Sequence, residues 1–282
     1  MENNFTKQYR KVKLNKTNIY YFSGSGNSLS VAKNLEDNLR VNLIPIASLV
    51  RQNNISNNND SIGFVFPIYD FKPPEIIFDF ISKSESLPEK KYIFAICTYG
   101  LSPGKALLTL NEKLKSSGSH LSAGFTMAMP HSGIGSGAIS SHLQSILNKK
   151  AKSQTKQIIK YIQSGKSGKI ESQSFAQIVS SIRFKQMLAP FFKFLWISLF
   201  KSLEVLNFQI DHNCNGCRIC AKICPVENIK MVADRPEWLD QCAGCFACLN
   251  WCPKEAISLG GYNMNIKQYH HPDIKLSEII AR

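Results

Sequence analysis

The chain has 282 residues, of which 44% are hydrophobic and 19% charged. That is enough apolar content for true cores and a length for one or two domains, and it excludes an intrinsically disordered chain despite the Asn-rich patch at 53–59. Lys and Arg exceed Asp and Glu by 34 − 20 = 14, and eight of the nine cysteines fall within 39 residues, which excludes a secreted disulfide scaffold as the leading idea and points to a metal or cluster site.

Residues 1–16 form a polar, basic N-terminal tail without an apolar signal-type run, so a reducing, cytoplasmic setting is expected. Residues 17–22 are apolar and rich in strand formers, and from Asn27 the residues Leu29, Ala32, Leu35 and Leu39 recur at helical spacing. Further strands are expected at 41–46, 61–68, 91–97 and 123–129, with helices at 75–82, 104–115 and 138–163 between and after them. Five strands alternating with helices predict an α/β fold, a parallel sheet covered on both faces. Residues 164–174 are rich in Ser, Gly and Lys and read as a flexible turn. Residues 190–206 are strongly apolar but carry Lys193, Lys201 and Glu204, too short and too charged to span a bilayer. That stretch reads as a helix packed on the rest of the chain, with contact to an anionic membrane surface as the alternative.

The positive charge is concentrated. Residues 141–206 carry eleven Lys or Arg against two Glu, whereas 207–263 carry five basic and six acidic groups. This predicts two modules with a basic joint. Nucleic acid is not an expected partner, because no binding motif accompanies the charge.

The turn after the first strand is Ser23-Gly24-Ser25-Gly26-Asn27-Ser28. Hydroxyls and backbone N–H groups at a helix N-terminus suit a phosphate, and glycines let the backbone approach it. There is no Walker lysine and no G-x-G-x-x-G, so a mononucleotide such as FMN fits better than ATP or a dinucleotide. The loops at 67–71 and 98–104, which follow the third and fourth strands, carry Tyr69 and Tyr99 beside Asp70, Thr98 and Gly100. Open α/β sheets bind ligands at such strand ends. Cys97 reads as a buried apolar thiol, and His131 as a surface-loop residue near the same end, with contact to flavin or substrate as its alternative role.

Residues 17–165 resemble a flavodoxin domain, whose phosphate loop follows T/S-x-T-G-x-T, with serine here at 25 and 28. The resemblance implies a doubly wound parallel sheet with Ser23, Gly24, Ser25, Gly26, Asn27 and Ser28 on the FMN phosphate. It also implies Tyr69, Thr98, Tyr99 and Gly100 around the isoalloxazine, with Tyr69 and Tyr99 stacking.

Cys214-x2-Cys217-x2-Cys220-x3-Cys224-Pro225 recurs 28 residues on as Cys242-x2-Cys245-x2-Cys248-x3-Cys252-Pro253. Eight thiols in two fours suit two 4Fe–4S clusters, whereas zinc sites use separated C-x2-C pairs. The run is that of bacterial two-cluster ferredoxins, small α+β domains in which the fourth Cys of each run ligates the other cluster. Carried over, that implies one set of Cys214, Cys217, Cys220 and Cys252, and another of Cys242, Cys245, Cys248 and Cys224.

The whole order resembles fused flavodoxin–ferredoxin proteins. It implies an FMN domain at 17–165, a basic and apolar helical connector at 166–208, a ferredoxin domain at 209–263 and a C-terminal tail at 264–282. The implied function is electron transfer between FMN and two clusters, with unidentified redox proteins as donor and acceptor. The alternative is an FMN-dependent reductase of a small molecule fed by its clusters. No acid–base pair or nucleophile is visible, so no catalytic side chain is expected.

Overall fold

Short runs rich in β-branched and aromatic residues become the strands expected of them in the computed structural model, which describes residues 17–52, 55, 59–84, 91–134, 136, 139–172, 207–260 and 266–280. The N-terminal tail and the apolar stretch at 190–206 lie outside the described residues. In chain order the first elements are β1 (Thr17–Tyr21), α1 (Asn27–Glu36), β2 (Val41–Pro45), α2 (Ile46–Leu49) and β3 (Ser61–Pro67). They are followed by α3 (Glu75–Lys83), β4 (Tyr92–Tyr99), α4 (Ala106–Ser116), β5 (Ala123–Ala128), α5 (Ser141–Gln163) and β6 (Lys169–Ile170). The six strands form one sheet in the order β2-β1-β3-β4-β5-β6, every pair parallel. The first five follow the doubly wound, flavodoxin-like order, with the switch point between β1 and β3.

Helices on both faces bury the sheet, so its central strands read as continuous apolar runs rather than alternating ones. Ile62, Phe64, Val65 and Phe66 of β3 and Phe94, Ala95, Ile96 and Cys97 of β4 are fully buried. Leu29, Ala32 and Leu35 of α1, and Leu107, Leu110 and Leu114 of α4, supply the facing stripes. The sixth strand departs from expectation, because it lies within the stretch read as a flexible turn. Two residues at a sheet edge carry too little pattern to register. Glu171 holds that edge, since its carboxylate accepts from the backbone N–H (2.8 Å) and hydroxyl (3.1 Å) of Thr126. The sheet thus runs past the expected domain boundary at 165.

The cysteine-rich region contains β7 (Phe208–Ile210), α6 (Ile219–Ile223), β8 (Ile229–Val232), β9 (Arg235–Trp238), α7 (Ala247–Asn250) and β10 (Ile257–Leu259). β7 pairs antiparallel with β10, and β8 with β9. The β8–β9 hairpin closes through Ala233 and Asp234, both at positive φ, the conformation that matches the strand twist. Its own core is small, centred on Phe208, Ile229, Leu249, Ile257 and Leu259, with Phe208 stacked on Trp238 at 5.1 Å.

The repeat seen in the sequence is also a repeat of backbone conformation. Positive φ recurs at Arg218 and Phe246, and at Glu227 and Glu255, each pair 28 residues apart.

The segment after residue 265 is not the loose tail its polarity suggests. It packs against the turn after β1, α1 and α5 and ends in α8 (Leu276–Ile280). Tyr269, His271, Ile274 and Ile279 are buried. Glu278 pairs with Lys33, and Asp273 with Lys152 at 2.7 Å. Among the described residues no helix is long and apolar enough to cross a membrane.

Candidate functional site

The eight run cysteines carry no disulfide, and they divide by proximity. Cys214, Cys217, Cys220 and Cys252 line one cavity, together with Arg218, Met231, Pro236 and Ile257. Burial, with smaller contributions from Cys217, Cys252 and Cys214, pushes the Cys220 thiol up to about 11. Burial likewise pushes Cys248 well up, with Cys245, Cys242 and Cys224 as its thiol neighbours. Cys242 is raised by burial and by Cys224. The fourth cysteine of each run therefore lies with the first three of the other run. Among the described residues no group of three or more His, Cys, Asp or Glu is gathered as a single-ion site.

Backbone donors are already aimed at two sulfurs. The Asn228 N–H lies 3.2 Å from Cys224 Sγ, and the Gly244 N–H 3.5 Å from Cys242 Sγ. Such donors favour the thiolate, whereas burial without a cation opposes it. Four thiols around one apolar cavity suit an iron–sulfur core.

The second constellation sits at the carboxyl ends of β1, β3 and β4. Gly26 caps α1 with φ +93°, which a residue with a side chain rarely adopts, and it offers the helix no side-chain cap. Ser23 Oγ accepts from the Gly26 N–H at 3.1 Å, and Ser28 Oγ lies 2.8 Å from Thr98 Oγ1. Asn27 donates to the Pro130 carbonyl (2.8 Å) and accepts from the Tyr269 hydroxyl (3.0 Å). Ser23, Ser25, Asn27 and Ser28 are all buried. An uncapped helix N-terminus ringed by buried hydroxyls suits the phosphate of a mononucleotide.

The candidate ring residues divide. Tyr69 is half-buried, edge-on to Phe22 at 6.3 Å. Tyr99 is half-buried too, and burial raises its phenol. Gly100 is needed for close approach, because a Cβ there would stand 2.4 Å from His131 Nδ1. His131 Nε2 donates to the Ile134 carbonyl at 2.7 Å, and burial lowers its pKa. Asp70 is exposed and lies outside this packing, with positive φ. Cys97 is fully buried, with its thiol 3.6 Å from the Phe125 carbonyl.

Sequence reasoning missed what joins the two constellations. The Trp251 indole N–H donates to the Gly24 carbonyl at 3.0 Å. Asn250 donates to the Ser132 carbonyl at 2.9 Å, and the His271 N–H to the Ser25 carbonyl at 2.8 Å. A Cβ at Gly24 would stand 2.4 Å from the Cys245 carbonyl oxygen and 3.1 Å from the Tyr69 hydroxyl oxygen. A cluster-run cysteine, a ring-loop tyrosine and the phosphate loop thus meet at one point. The signal was in the repeat: Arg218 and Lys222 of the first run become Phe246 and Asn250 in the second.

His271 makes this junction pH-sensitive. It is 2% exposed, and its Nδ1 accepts from the Asp273 N–H at 3.2 Å. Burial lowers its pKa from 6.5 to about 4; Asp273 opposes the shift, while Lys152 and His270 add to it. The unfolded chain therefore binds the proton first as pH falls. The contribution is complete above the ordinary value and is lost as pH drops toward about 4, at a cost of up to ~3 kcal/mol. Amide protection factors over 266–280, corrected for the intrinsic pH dependence of exchange, are expected to fall between pH 7.5 and pH 5, and a His271→Gln chain to lose that dependence.

No family model matches the chain, and no curated protein matches it. Among solved structures, a flavodoxin from the domain Archaea aligns at 16% identity, covering 51% of this chain and 99% of that one, with a TM-score of 0.32. The FMN-dependent NADH-azoreductase of Bacillus anthracis aligns at 9% identity over 51% of this chain and 100% of its own, TM-score 0.34. Rubredoxin oxygen:oxidoreductase of Desulfovibrio gigas aligns at 16% identity over 54% of this chain and 37% of its own, TM-score 0.35.

Proposed function

We propose that the chain is a single-polypeptide electron carrier that couples an FMN in the sheet-end crevice to two 4Fe–4S clusters in the cysteine-rich module. The observation that carries this reading is the crossed grouping of the eight cysteines, one group of which lines a cavity. Cys214, Cys217, Cys220 and Cys252 would hold one cluster, and Cys242, Cys245, Cys248 and Cys224 the other. Ser23, Ser25, Ser28 and the N-terminal N–H groups of α1 would hold the FMN phosphate, with Tyr69 and Tyr99 beside the ring. When bound, the clusters supply one-electron steps and the flavin one- or two-electron steps.

The chain's own residues bind, orient and shield. The apolar shell of Ile223, Ile229, Leu249 and Ile257 limits water at the cysteines, which sets potential as well as stability. Unbridged thiols suit a reducing compartment such as the cytoplasm.

The test is anaerobic purification with iron, sulfide and flavin analysis. The expected content is about eight irons and eight sulfides, the number for two four-iron clusters, with one FMN released on denaturation. Zinc in place of iron, or a single cluster, overturns the cluster assignment. Absence of flavin from the reconstituted chain overturns the FMN assignment.

A further inference from the structure

The internal repeat provides its own control, because equivalent positions of the two runs have different surroundings. Cys217 is exposed, whereas its counterpart Cys245 is 9% exposed and belongs to the core of the flavodoxin-like sheet; the exposed cysteine of the second run is instead Cys242, at its head. Arg218, exposed, corresponds to Phe246, which packs 3.5 Å from the Cβ position of Gly133. Lys222, exposed, corresponds to Asn250, fully buried and bonded to the Ser132 carbonyl and the Tyr269 N–H. The Cys245 backbone also touches the phosphate loop at Gly24, beside the Tyr69 hydroxyl.

We propose that the two clusters are inequivalent: the one held by Cys242, Cys245, Cys248 and Cys224 is an inner carrier set against the crevice through Cys245, and the one held by Cys214, Cys217, Cys220 and Cys252 is the outer terminal that meets an external one-electron carrier at the Cys217 edge. This rests on the function proposed above. In the reducing direction each step oxidises the external reduced carrier by one electron and reduces the outer cluster by one. The same electron then passes to the inner cluster and on to the crevice. Two such passages, with two protons from water, complete the reduction of one flavin.

The order follows from packing. Phe246 and Asn250 dock the second run on the loop after β5, where the same positions of the first run carry exposed Arg218 and Lys222, while Trp251 and its counterpart Ile223 are both buried in the core of the first module. The first run is thus held through Ile223 at its far end, while its Cys217 and Arg218 end faces solvent.

The experiment uses the full chain, reconstituted anaerobically, with iron and sulfide measured first. A water-soluble ferrous chelator is then added, and iron release is followed by absorbance. Two phases are expected, the slower by about tenfold or more, because Cys245, unlike its exposed counterpart Cys217, is reached only through local opening. Cys217→Ser should alter the fast phase and leave the slow one. Phe246→Arg, which gives the second run the charge its counterpart bears, should bring the slow phase toward the fast one. A single phase in the unsubstituted chain, or a Cys217→Ser effect on the slow phase, overturns the order. So does a slow phase untouched by Phe246→Arg. A relaxation measurement guards against a variant that does not fold: in the unsubstituted reduced protein, a soluble dysprosium chelate should broaden the spin signal of one cluster more than that of the other, and equal broadening of both overturns the order. A full iron and sulfide complement with equal accessibility defeats this inference alone, whereas a chain without iron defeats the function it rests on.

Discussion

Cys252→Ser is expected to disable the cluster of the first cysteine run, although Cys252 belongs by sequence to the second. Its thiol lies in the cavity lined by Cys214, Cys217 and Cys220, and it is among the thiols that raise Cys220. Cys224→Ser should do the converse, because Cys224 lies with Cys242 and Cys248. Each substitution should cost about half of the iron, since one four-iron cluster of two loses a ligand. The grouping of residual spectra is the sharper measurement. The electron spin signal left by Cys252→Ser should coincide with that left by Cys214→Ser. The signal left by Cys224→Ser should coincide with that left by Cys242→Ser. If Cys252→Ser instead groups with Cys242→Ser, each run holds its own cluster and the crossed assignment fails. The crossing also bears on stability. The module's own core is small, and metal bonds that join its two halves supply folding free energy that apolar burial cannot.

What was legible in the sequence was local. Strands β1, β3 and β4 announced themselves because burial on both faces makes them continuous apolar runs, and α1 because Leu29, Ala32 and Leu35 repeat at helical spacing. The cysteine runs were legible because their spacing is set within a dozen residues. β6 was not, since Lys169 and Ile170 have neither length nor alternation, and only the Glu171 carboxylate shows that the chain is tied there. The docking of 266–280 was not, because its side-chain partners, Lys33 for Glu278 and Asn27 for Tyr269, stand 245 and 242 residues away, and its other anchor joins the His271 N–H to the Ser25 backbone carbonyl. A backbone acceptor leaves no mark on residue identity. The partial exception is the repeat, in which exposed Arg218 and Lys222 are replaced by Phe246 and Asn250. Such a difference between equivalent positions marks a difference in surroundings, and aligning the two runs for solvent-facing character finds the docked one.

Gly24→Val should part the two modules while leaving the cysteine groups intact. The added Cβ would stand 2.4 Å from the Cys245 carbonyl oxygen and 3.2 Å from the Cys245 Cβ. The first is backbone, so no rotamer change relieves it. The loop cannot retreat either, because Ser23, Ser25 and Ser28 are buried behind it and Ser28 is bonded to Thr98. What yields is the contact between loop and cluster run, and with it the Trp251 bond to the Gly24 carbonyl. Overpacking of this kind costs about 1–3 kcal/mol, whereas Trp251→Phe removes one hydrogen bond worth about 1 kcal/mol and should act in the same direction more weakly. Hydrogen exchange should rise in Gly24→Val over 245–251 and 269–274, and stay low over β3 and β4. Iron and sulfide content should hold, since no cysteine leaves its group. After rapid reduction of the clusters, passage of electrons to the flavin should slow and begin to depend on protein concentration, as exchange between molecules takes over from exchange within one. Unchanged hydrogen exchange across 245–251 would show that the second run does not bear on the phosphate loop in solution, and the short route from the clusters to the crevice would go with it.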